Sequence, residues 1–377
     1  MLPKDLRFVI EGGPFSQGLS QPALLQHWLR RSTIPFCPSL AKDSLRDAII
    51  VGLDVEWWEY DKGFITELGV SIIDPRFVTD WTSPWKVLET MVTQHVRIKS
   101  NAHMVNRDLC KGHPDKFEFG KTSFVNVEQA KEMLRCSFLR FDTHGCPRPV
   151  IFVGHAVDND ASIIKKEFGL NLEALDILVA TIDTQVLAAE IGLVQGTRTP
   201  KLSDLLAKYK ISEPYLHNGG NDIACTIIAA VFMCSPFAPN NNVQAYYDRL
   251  KQHLHTTGKV MHGSETYCIK CDFDKHLTAD CQLYVYCMHC AGSKETINMA
   301  PHHKTEKCLI ATIKSPEPAS KKFDQWSAPA RFPVPCSMCI VSTDPQRYNL
   351  DHAYGHLEED CKFKAGGSES VVNTKWV

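Results

Sequence analysis

Residues 48–56, AIIVGLDVE, decide the fold, because an apolar run typical of a buried β-strand ends there in two acids. A second β-type run, FITELGVSII at 64–73, follows and is closed by Asp74-Pro75. Helical and strand-like segments then alternate: helices are expected at 127–141, 161–168, 202–209 and 222–233, and strands at 149–154 and 180–184. Strands that are first adjacent and then alternate with helices predict an α/β fold with a mixed sheet flanked by helices.

The length of 377 residues predicts two or three folding units. We expect the α/β domain to span residues 47–252 and to follow a partly disordered extension, residues 1–46, with a short helix around 22–31. The last third of the chain is rich in Cys and His and is broken by Pro and Ser. It predicts two small metal-binding units at 262–312, a linker at 313–334, a third unit at 335–365 and a disordered tail at 366–377.

The composition excludes two broad classes of protein. Hydrophobic residues make up 44% and charged residues 22% of the chain, which argues against disorder throughout and against a membrane protein. The longest apolar run, 227–234, is far shorter than the ~20 residues of a membrane span. Residues 1–10 include an acid and have no continuous apolar stretch, so they do not resemble a secretory signal. We therefore expect no membrane partner, and a location in the cytoplasm or nucleus.

Asp54 and Glu56 lie two residues apart at the end of the first predicted strand, so both carboxylates project from one face. Two like charges side by side are unfavourable, and a Mg²⁺ or Mn²⁺ ion would neutralise them because such ions prefer oxygen ligands. The alternative interpretation is a solvated strand end that binds nothing. A third acid, Asp160, follows the predicted strand at 149–154. It is either a further metal ligand or the N-cap of the next helix, and Asp158 competes with it for a metal role.

His217 and Asp222 flank an Asn-Gly-Gly-Asn turn. In a continuous helix, residues five apart are separated by about 140°, so the two side chains would not share a face. The Gly219-Gly220 break lets His217 lie on a loop while Asn221 caps a helix whose first turn carries Asp222, so that both face one site. The alternatives are a solvated loop histidine and an acid that is favoured in a first helical turn by the helix dipole.

These pieces occur in an order that resembles the DEDDh 3′-5′ exonucleases of the ribonuclease H-like superfamily. The resemblance covers about residues 48–236, and the final His-x4-Asp spacing selects the histidine branch of these enzymes over the branch that uses a tyrosine. It rests on Asp54-x-Glu56, His155-x4-Asp160, the Leu-rich segment KLSDLLAKYK that begins at Lys201, and His217-x4-Asp222. It implies a ribonuclease H-like mixed sheet flanked by helices.

The resemblance also implies catalytic roles for Asp54, Glu56, Asp160, His217 and Asp222. Asp54, Glu56 and Asp222 would hold one Mg²⁺ or Mn²⁺ ion, and Asp54 and Asp160 would hold a second ion roughly 4 Å away. His217 would be the general base that takes a proton from the attacking water. The implied reaction is stepwise 3′-to-5′ removal of nucleoside 5′-monophosphates from RNA or single-stranded DNA.

Two features depart from the family pattern. Trp57-Trp58 replaces the small residues that usually follow the first Asp-x-Glu, and a long insert occupies 81–121. Residues 96–121 contain six Lys and Arg residues and three Asp and Glu residues, which gives a local net charge of +3. One hypothesis is that this segment contacts phosphates, Arg97 and Lys99 among its cations; a solvated loop is the alternative.

The fifteen cysteines fall into two groups. Six are scattered and are expected to pack as small apolar residues: Cys37, Cys110, Cys136, Cys146, Cys225 and Cys234. The other nine lie between residues 268 and 361 at repeating spacings typical of CCHC zinc knuckles. Together with three histidines they predict four ligands for each of up to three Zn²⁺ ions: Cys268, Cys271, His276 and Cys281; Cys287, Cys290, His303 and Cys308; Cys336, Cys339, His356 and Cys361. His302 and His352 are rival ligands, and reduced cysteines without metal are the alternative.

The charge of this tail bears on whether it binds nucleic acid or a protein. From residue 260 to 377 there are 13 Lys and Arg against 14 Asp and Glu. Three loaded Cys₃His units would take the net charge to about −4, whereas phosphate binding favours a basic surface. Phe273 could stack a nucleobase, but docking of a protein partner is equally compatible. Two functions therefore remain: a metal-dependent exonuclease that acts on single-stranded 3′ ends, or a catalytically silent adaptor that binds RNA or a protein through its zinc units.

Overall fold

A six-stranded mixed sheet forms the centre of the fold. The computed structural model describes residues 20–34, 39–175, 177–194, 199–236 and 242–314 of the chain. The strand order is β4-β3-β2-β1-β5-β6, and β2 is antiparallel to both neighbours while the other neighbouring pairs are parallel. The strands are β1 Ile49–Trp58, β2 Asp61–Ile73, β3 Val92–Ile98, β4 Thr122–Val125, β5 Val150–Gly154 and β6 Leu178–Asp183. The predicted α/β fold is thereby confirmed.

Helices cover both faces of the sheet and continue into the Cys/His-rich region. The α-helices of the described residues are α1 Gln21–Trp28, α2 Ser39–Arg46, α3 Pro84–Leu88, α4 Val127–Phe138, α5 Val157–Phe168, α6 Thr184–Glu190, α7 Leu202–Lys208, α8 Gly219–Met233, α9 Val243–Thr257, α10 Met288–Ala291 and α11 Leu309–Lys314. Short 3₁₀ turns occupy Pro75–Phe77, Leu172–Ala174, Thr278–Asp280, Ile297–His302 and Thr305–Lys307. None of these helices has both the length and the apolarity needed to cross a bilayer.

Strand β1 separates two hydrophobic cores, because its side chains alternate between the faces of the sheet. Ile49, Val51, Leu53 and Val55 belong to one core, and Ile50 belongs to the other, with α8. Gly52 also faces α8: a Cβ there would lie 2.7 Å from Ile223 Cδ1, so the bare backbone permits close packing of the helix. The same alternation carries Asp54 and Glu56 to the α8 side, just beyond the region that Ile223 covers. The sequence pattern therefore directs the acids toward the start of α8.

Helix α1 belongs to the same packed core as α8. Leu25 and Trp28 are completely buried in it, and Trp28 Nε1 donates a hydrogen bond of 2.7 Å to the Ala48 carbonyl oxygen. Ser20 caps the helix by accepting from the Ala23 amide, with proline at the first turn as expected of a helix start. Part of the segment before residue 47 thus packs into the core of the domain, beside the start of β1.

The segment 81–121 supplies one strand of the sheet, β3, and the helix α3. Arg97, near the end of β3, is only 2% exposed. Its guanidinium pairs with Asp115 at 2.5 Å and donates to the Ala102 carbonyl oxygen at 2.6 Å. The hypothesis that Arg97 contacts phosphates is therefore wrong, because the side chain is buried and already paired. The Lys99 ammonium lies 2.8 Å from the Asp274 carboxylate, so it also has a partner within the chain.

Several predicted features lie outside the described residues. They are Cys37, the linker from residue 315 onward, the tail at 366–377, and the third Cys/His unit with Cys336, Cys339, His352, His356 and Cys361.

Candidate active site

The site begins with Asp54, where β1 leaves the hydrophobic core. Its Oδ2 atom is buried and has no hydrogen-bond partner among the described residues. Burial, together with the charge of Glu67, raises the pKa of Asp54 to about 7. A buried carboxylate oxygen without a partner is costly unless a cation or proton compensates it, so this position favours a bound cation.

Glu56, His217 and Asp222 come together beside it. Their potential ligand atoms all lie within 4.8 Å of one another, although β1 and the start of α8 are far apart in sequence. Burial holds the pKa of Glu56 well above its usual range, and the charges of Asp54 and Asp222 raise it further. Burial, and then the charge of Asp54, likewise raises the pKa of Asp222. These carboxylates repel one another, which is the electrostatic condition that a divalent cation relieves.

Asp160 is attached to β1 directly. It is 5% exposed, and its Oδ1 accepts a hydrogen bond of 3.2 Å from the amide of Val55, the residue between the two acids. Helix α5 begins at Val157, after Ala156 in a left-handed conformation with φ of +63°, so Asp160 is not the N-cap. The rival Asp158 is exposed to solvent. Burial and the charge of Asp54 hold the pKa of Asp160 well above its usual range.

The turn before α8 places polar groups at the site. The prediction that Asn221 caps this helix is wrong. The helix begins at Gly219, and its N-cap is Asn218, which accepts a hydrogen bond of 3.0 Å from the Asn221 amide. His217 has a φ of +64°, and its amide donates to the two Asp222 carboxylate oxygens at 3.2 and 3.0 Å. The backbone of His217 therefore holds the Asp222 carboxylate in place.

The start of α8 lies against bare backbone of β2. A Cβ on Gly69 would lie 1.8 Å from the Gly219 carbonyl oxygen, so no side chain fits between strand and helix. A Cβ on Gly220 would meet Phe117 and His95 at 2.6 and 2.7 Å. Gly219 and Gly220 are thus required for close approach to the sheet. The break that the sequence suggested at these two glycines is wrong, because both are helical and the left-handed residue before the helix is His217.

Glu67 on β2 is an acid of the site that the sequence reasoning missed. It is 5% exposed and pairs in register with Glu56 across the two strands. Its Oε2 accepts from the Gly219 amide at 3.3 Å and is hydrogen bonded to His95 Nε2 at 2.8 Å. An acid within the apolar run 64–73 was the available signal, because an ionisable side chain on a buried strand requires partners.

A second missed element is the loop at 106–113, which we name the active-site loop. The Glu59 carboxylate accepts backbone hydrogen bonds from four successive amides of this loop, those of Arg107, Asp108, Leu109 and Cys110. Burial and the charges of Asp222 and Glu59 raise the pKa of Cys110, as expected of a thiol beside the acids. The His113 amide donates to the His217 carbonyl oxygen at 2.9 Å, which joins the loop to the turn before α8.

Two Cys/His clusters lie further along the chain. In each, four potential ligand atoms lie within 4.8 Å of one another: Cys268, Cys271, His276 and Cys281 form the first Cys/His unit, and Cys287, Cys290, His303 and Cys308 form the second. His303 rather than the exposed His302 joins the second unit. The cysteines of both units are free thiols. Three thiolates and one imidazole are a common ligand set for structural Zn²⁺.

The fold and the acidic site together describe an α/β domain whose carboxylates converge at the end of a sheet strand. Residues 49–233 match the family described as DEDDh, DNA polymerase III subunit epsilon-like, C-terminal domain. These residues therefore form a domain of the DEDDh exonuclease family, which confirms the resemblance drawn from the motifs.

The chain is also similar to two proteins of Saccharomyces cerevisiae. It is 23% identical over 212 residues to the uncharacterized protein YDR514C, covering 51% of this chain and 42% of that protein. It is 23% identical over 212 residues to Good for full DBP5 activity protein 2, covering 50% of this chain and 35% of that protein. The chain thus matches less than half the length of either relative.

Weaker similarities link the chain to solved structures of exonuclease I. A structure of exonuclease I is 12% identical, with a TM-score of 0.34 over 55% of this chain and 43% of that one. A zinc-bound complex of the Escherichia coli enzyme with single-stranded DNA is 12% identical, with a TM-score of 0.31 over 49% of this chain and 40% of that one.

Proposed function

We propose that the domain at 49–233 is a metal-dependent 3′-to-5′ exonuclease that hydrolyses RNA or single-stranded DNA to nucleoside 5′-monophosphates. The observation that carries the proposal is the unpartnered, buried Asp54 Oδ2 beside the group of Glu56, His217 and Asp222. Such a set of oxygen donors suits Mg²⁺ or Mn²⁺, which bind carboxylates and neutralise their mutual repulsion. The family match of residues 49–233 supports a nuclease, and the direction and the substrate are part of this proposal.

The carboxylates fit the two cations that the family uses. Asp54, Glu56 and Asp222 would hold one ion, and Asp54 and Asp160 the other. When bound, two such ions activate a water molecule and stabilise negative charge on both the attacking and the leaving oxygen. Asp160 is suited to its role because its hydrogen bond to the Val55 amide ties it to the strand that carries Asp54.

His217 would accept the proton of the attacking water. Desolvation lowers the pKa of His217, and electrostatic interactions with His113 and Lys201 lower it further, which favours the neutral imidazole that can take a proton. The water oxygen then bonds to phosphorus while the bond from phosphorus to the 3′-oxygen breaks. The leaving 3′-oxygen takes a proton from solvent, the imidazole releases its proton to solvent, and the terminal nucleotide departs as a 5′-monophosphate.

The Cys/His units would each hold one structural Zn²⁺, up to three in the whole chain. In the first unit, Cys271 Sγ and His276 Nε2 lie 3.4 Å apart. In the second unit, Cys290 Sγ lies 3.5 Å from His303 Nε2 and 3.6 Å from Cys308 Sγ. These distances suit ligands that share one tetrahedral ion.

A second function, docking of a protein or RNA partner, is favoured by the surface of these units. Tyr284 is 75% exposed and Met288 is 68% exposed, and the rings of Tyr284 and Tyr286 stack at 6.2 Å. Exposed aromatic and Met side chains are enriched at interfaces. If the acidic site were silent, this docking would be the main function and the chain would act as an adaptor.

A ladder assay separates the two functions. The purified chain, with Mg²⁺ or Mn²⁺, is incubated with 5′-labelled single-stranded RNA and DNA, beside the Asp54→Asn/Glu56→Gln double variant. We expect progressive shortening by the wild type and none by the double variant. Whichever of RNA and DNA is shortened faster shows whether the enzyme prefers ribose or deoxyribose. Intact substrate with both proteins, at full zinc content and with matching circular dichroism, would contradict the exonuclease and favour the adaptor.

A further inference from the structure

A row of paired residues crosses the sheet from the acidic site to the first Cys/His unit. Glu56 pairs with Glu67, and Glu67 pairs with Arg97. Arg97 pairs with Phe124, which forms an antiparallel bridge with Ser264. Four strand spacings of about 4.8 Å place Ser264 about 19 Å from Glu56. The segment that leads into Cys268 therefore joins the sheet at the same level as the carboxylates.

The bridge to Ser264 is well defined. The Phe124 amide donates to the Ser264 carbonyl oxygen at 2.8 Å, and the Ser264 amide donates back to the Phe124 carbonyl oxygen at 3.1 Å. Gly263 makes this possible: its φ is +74°, and a Cβ there would lie 2.2 Å from the Phe124 carbonyl oxygen. Only glycine satisfies both conditions without displacing β4.

Side chains of the first Cys/His unit extend the contact to the end of β3. The Tyr267 hydroxyl lies 3.3 Å from the Lys99 carbonyl oxygen, and the Lys99 ammonium pairs with Asp274 at 2.8 Å. Tyr267, Phe124 and Ala102 form a small buried cluster, with the two rings 5.4 Å apart. The unit therefore covers the segment at 99–104.

That segment leads directly into the active-site loop. The Ala102 carbonyl oxygen accepts from the buried Arg97, and Asn101 Nδ2 donates to the Ile65 carbonyl oxygen at 2.7 Å. The active-site loop follows, and its end is bonded to His217 through the amide of His113. A continuous set of contacts thus runs from the first Cys/His unit to the candidate general base.

We propose that Zn²⁺ bound by the first Cys/His unit is a structural element of the acidic site. Metal binding by Cys268, Cys271, His276 and Cys281 orders residues 264–274, which hold β4 and the segment at 99–104, and thereby position the active-site loop. The physical reason is that so short a unit has little apolar interior, so the free energy of binding zinc is the free energy of folding it. The claim that this supports catalysis rests on the proposed exonuclease function; the claim that zinc orders the loop does not.

The test is Gly263→Ala in the full chain, with Gly145→Ala as a matched control. Both glycines have a φ near +73°, so both substitutions strain the backbone alike, but a Cβ at Gly145 has no neighbour within 4 Å. The four zinc ligands stay intact in both variants. Amide hydrogen exchange is measured at 122–125 and 99–113, zinc content by atomic absorption, and hydrolysis by the ladder assay.

We expect Gly263→Ala to raise exchange in both segments about tenfold, since two backbone hydrogen bonds and the docked unit are lost. Gly145→Ala should leave those segments unchanged, and both proteins should keep the zinc content of the wild type. Cys268→Ser/Cys271→Ser should reproduce the increased exchange with one zinc ion fewer. If Gly263→Ala fails to fold, Tyr267→Phe tests the same contact with a smaller increase.

Unchanged exchange at 99–113 in both Gly263→Ala and the double cysteine variant would overturn the inference. This readout does not require hydrolysis, so it stands whether or not the wild type degrades nucleic acid. Conversely, a wild type that lacks exonuclease activity while its loop is ordered by zinc would contradict the proposed function alone.

Discussion

The acidic site and the first Cys/His unit are both proposed sets of metal ligands, but they are built in opposite ways. The ligands of the acidic site come from β1, α5 and α8, which are far apart in sequence and are held by a buried sheet. Those of the Cys/His unit lie within fourteen residues, Cys268 to Cys281, that contain little apolar material. The fold alone therefore brings the acids together, whereas we propose that the short Cys/His unit depends on its metal to fold.

The largest effect is expected from Asp54→Asn. The substitution keeps the volume of the side chain but removes a charge that the cations require, so hydrolysis should fall at least about 10³-fold. The same change removes a buried, repelled carboxylate, so the melting temperature without metal should stay equal or rise. The ladder assay and thermal denaturation, run in parallel, measure the two effects. Residual activity within about tenfold of wild type would contradict the assignment of Asp54.

In contrast to Asp54→Asn, which should keep the fold, Cys268→Ser should cause loss of structure. Loss of one thiolate should remove one Zn²⁺ per chain and unfold the first Cys/His unit, which limited proteolysis would detect as cleavage within 262–286. The matched change, Cys146→Ser, replaces an exposed cysteine outside both units and should alter neither zinc content nor cleavage. A Cys268→Ser protein that resists proteolysis like the wild type would show that the unit folds without its metal, and the contrast between the two sites would fail.

An intermediate effect is expected at Glu67, which we expect to orient α8 without itself binding a cation. Glu67→Ala removes the acceptor of the Gly219 amide and the partner of His95, and it should lower activity or metal affinity about 10- to 100-fold. Glu67→Gln keeps one acceptor oxygen for Gly219 and should lose less. Titration of Mn²⁺ binding, followed calorimetrically, separates positioning from general loss of structure. Equal losses for Ala and Gln would show that the negative charge itself is required, as for a metal ligand.

A smaller effect is expected from pH in the metal-free protein. Burial raises the pKa of Asp54 to about 7 in the folded state, above the ordinary value of 3.8. The folded chain therefore binds the proton more tightly than the unfolded chain, and this contribution to stability is lost as the pH rises from about 4 to about 7. The melting temperature should fall across that window, and less so in Asp54→Asn. Saturating Mg²⁺ should reduce the fall, because the cation compensates the ionised carboxylates. A slope that Asp54→Asn leaves unchanged would assign the pH dependence to other groups.

The sequence was informative wherever local pattern determined the outcome. The alternation in AIIVGLDVE predicted the face that carries Asp54 and Glu56, and the spacing of His217 and Asp222 predicted a loop histidine followed by an acid in the first turn of a helix, although the helix begins at Gly219 and not after the two glycines. It failed where long-range pairing decides, as at Arg97, which looked like a free cation but is buried on β3 beside Asp115. Glu67 and Glu59 were missed for the same reason. Their partners, the Gly219 amide and the active-site loop, are brought to them only by the folded chain.

The smallest effect is expected at Asp158, the rival of Asp160 that the sequence left open. The two acids lie in the first turn of the same helix and have the same side chain, so they differ only in environment. Asp160 is buried and accepts the Val55 amide, whereas Asp158 is exposed. Asp158→Asn should therefore change hydrolysis by less than about twofold, within the range of an ordinary surface substitution. Asp160→Asn should reduce hydrolysis severely with the same change in formal charge. If both variants lost activity equally, the effect would reflect the charge of the helix start, and the buried geometry of the acidic site would not be what selects its ligands.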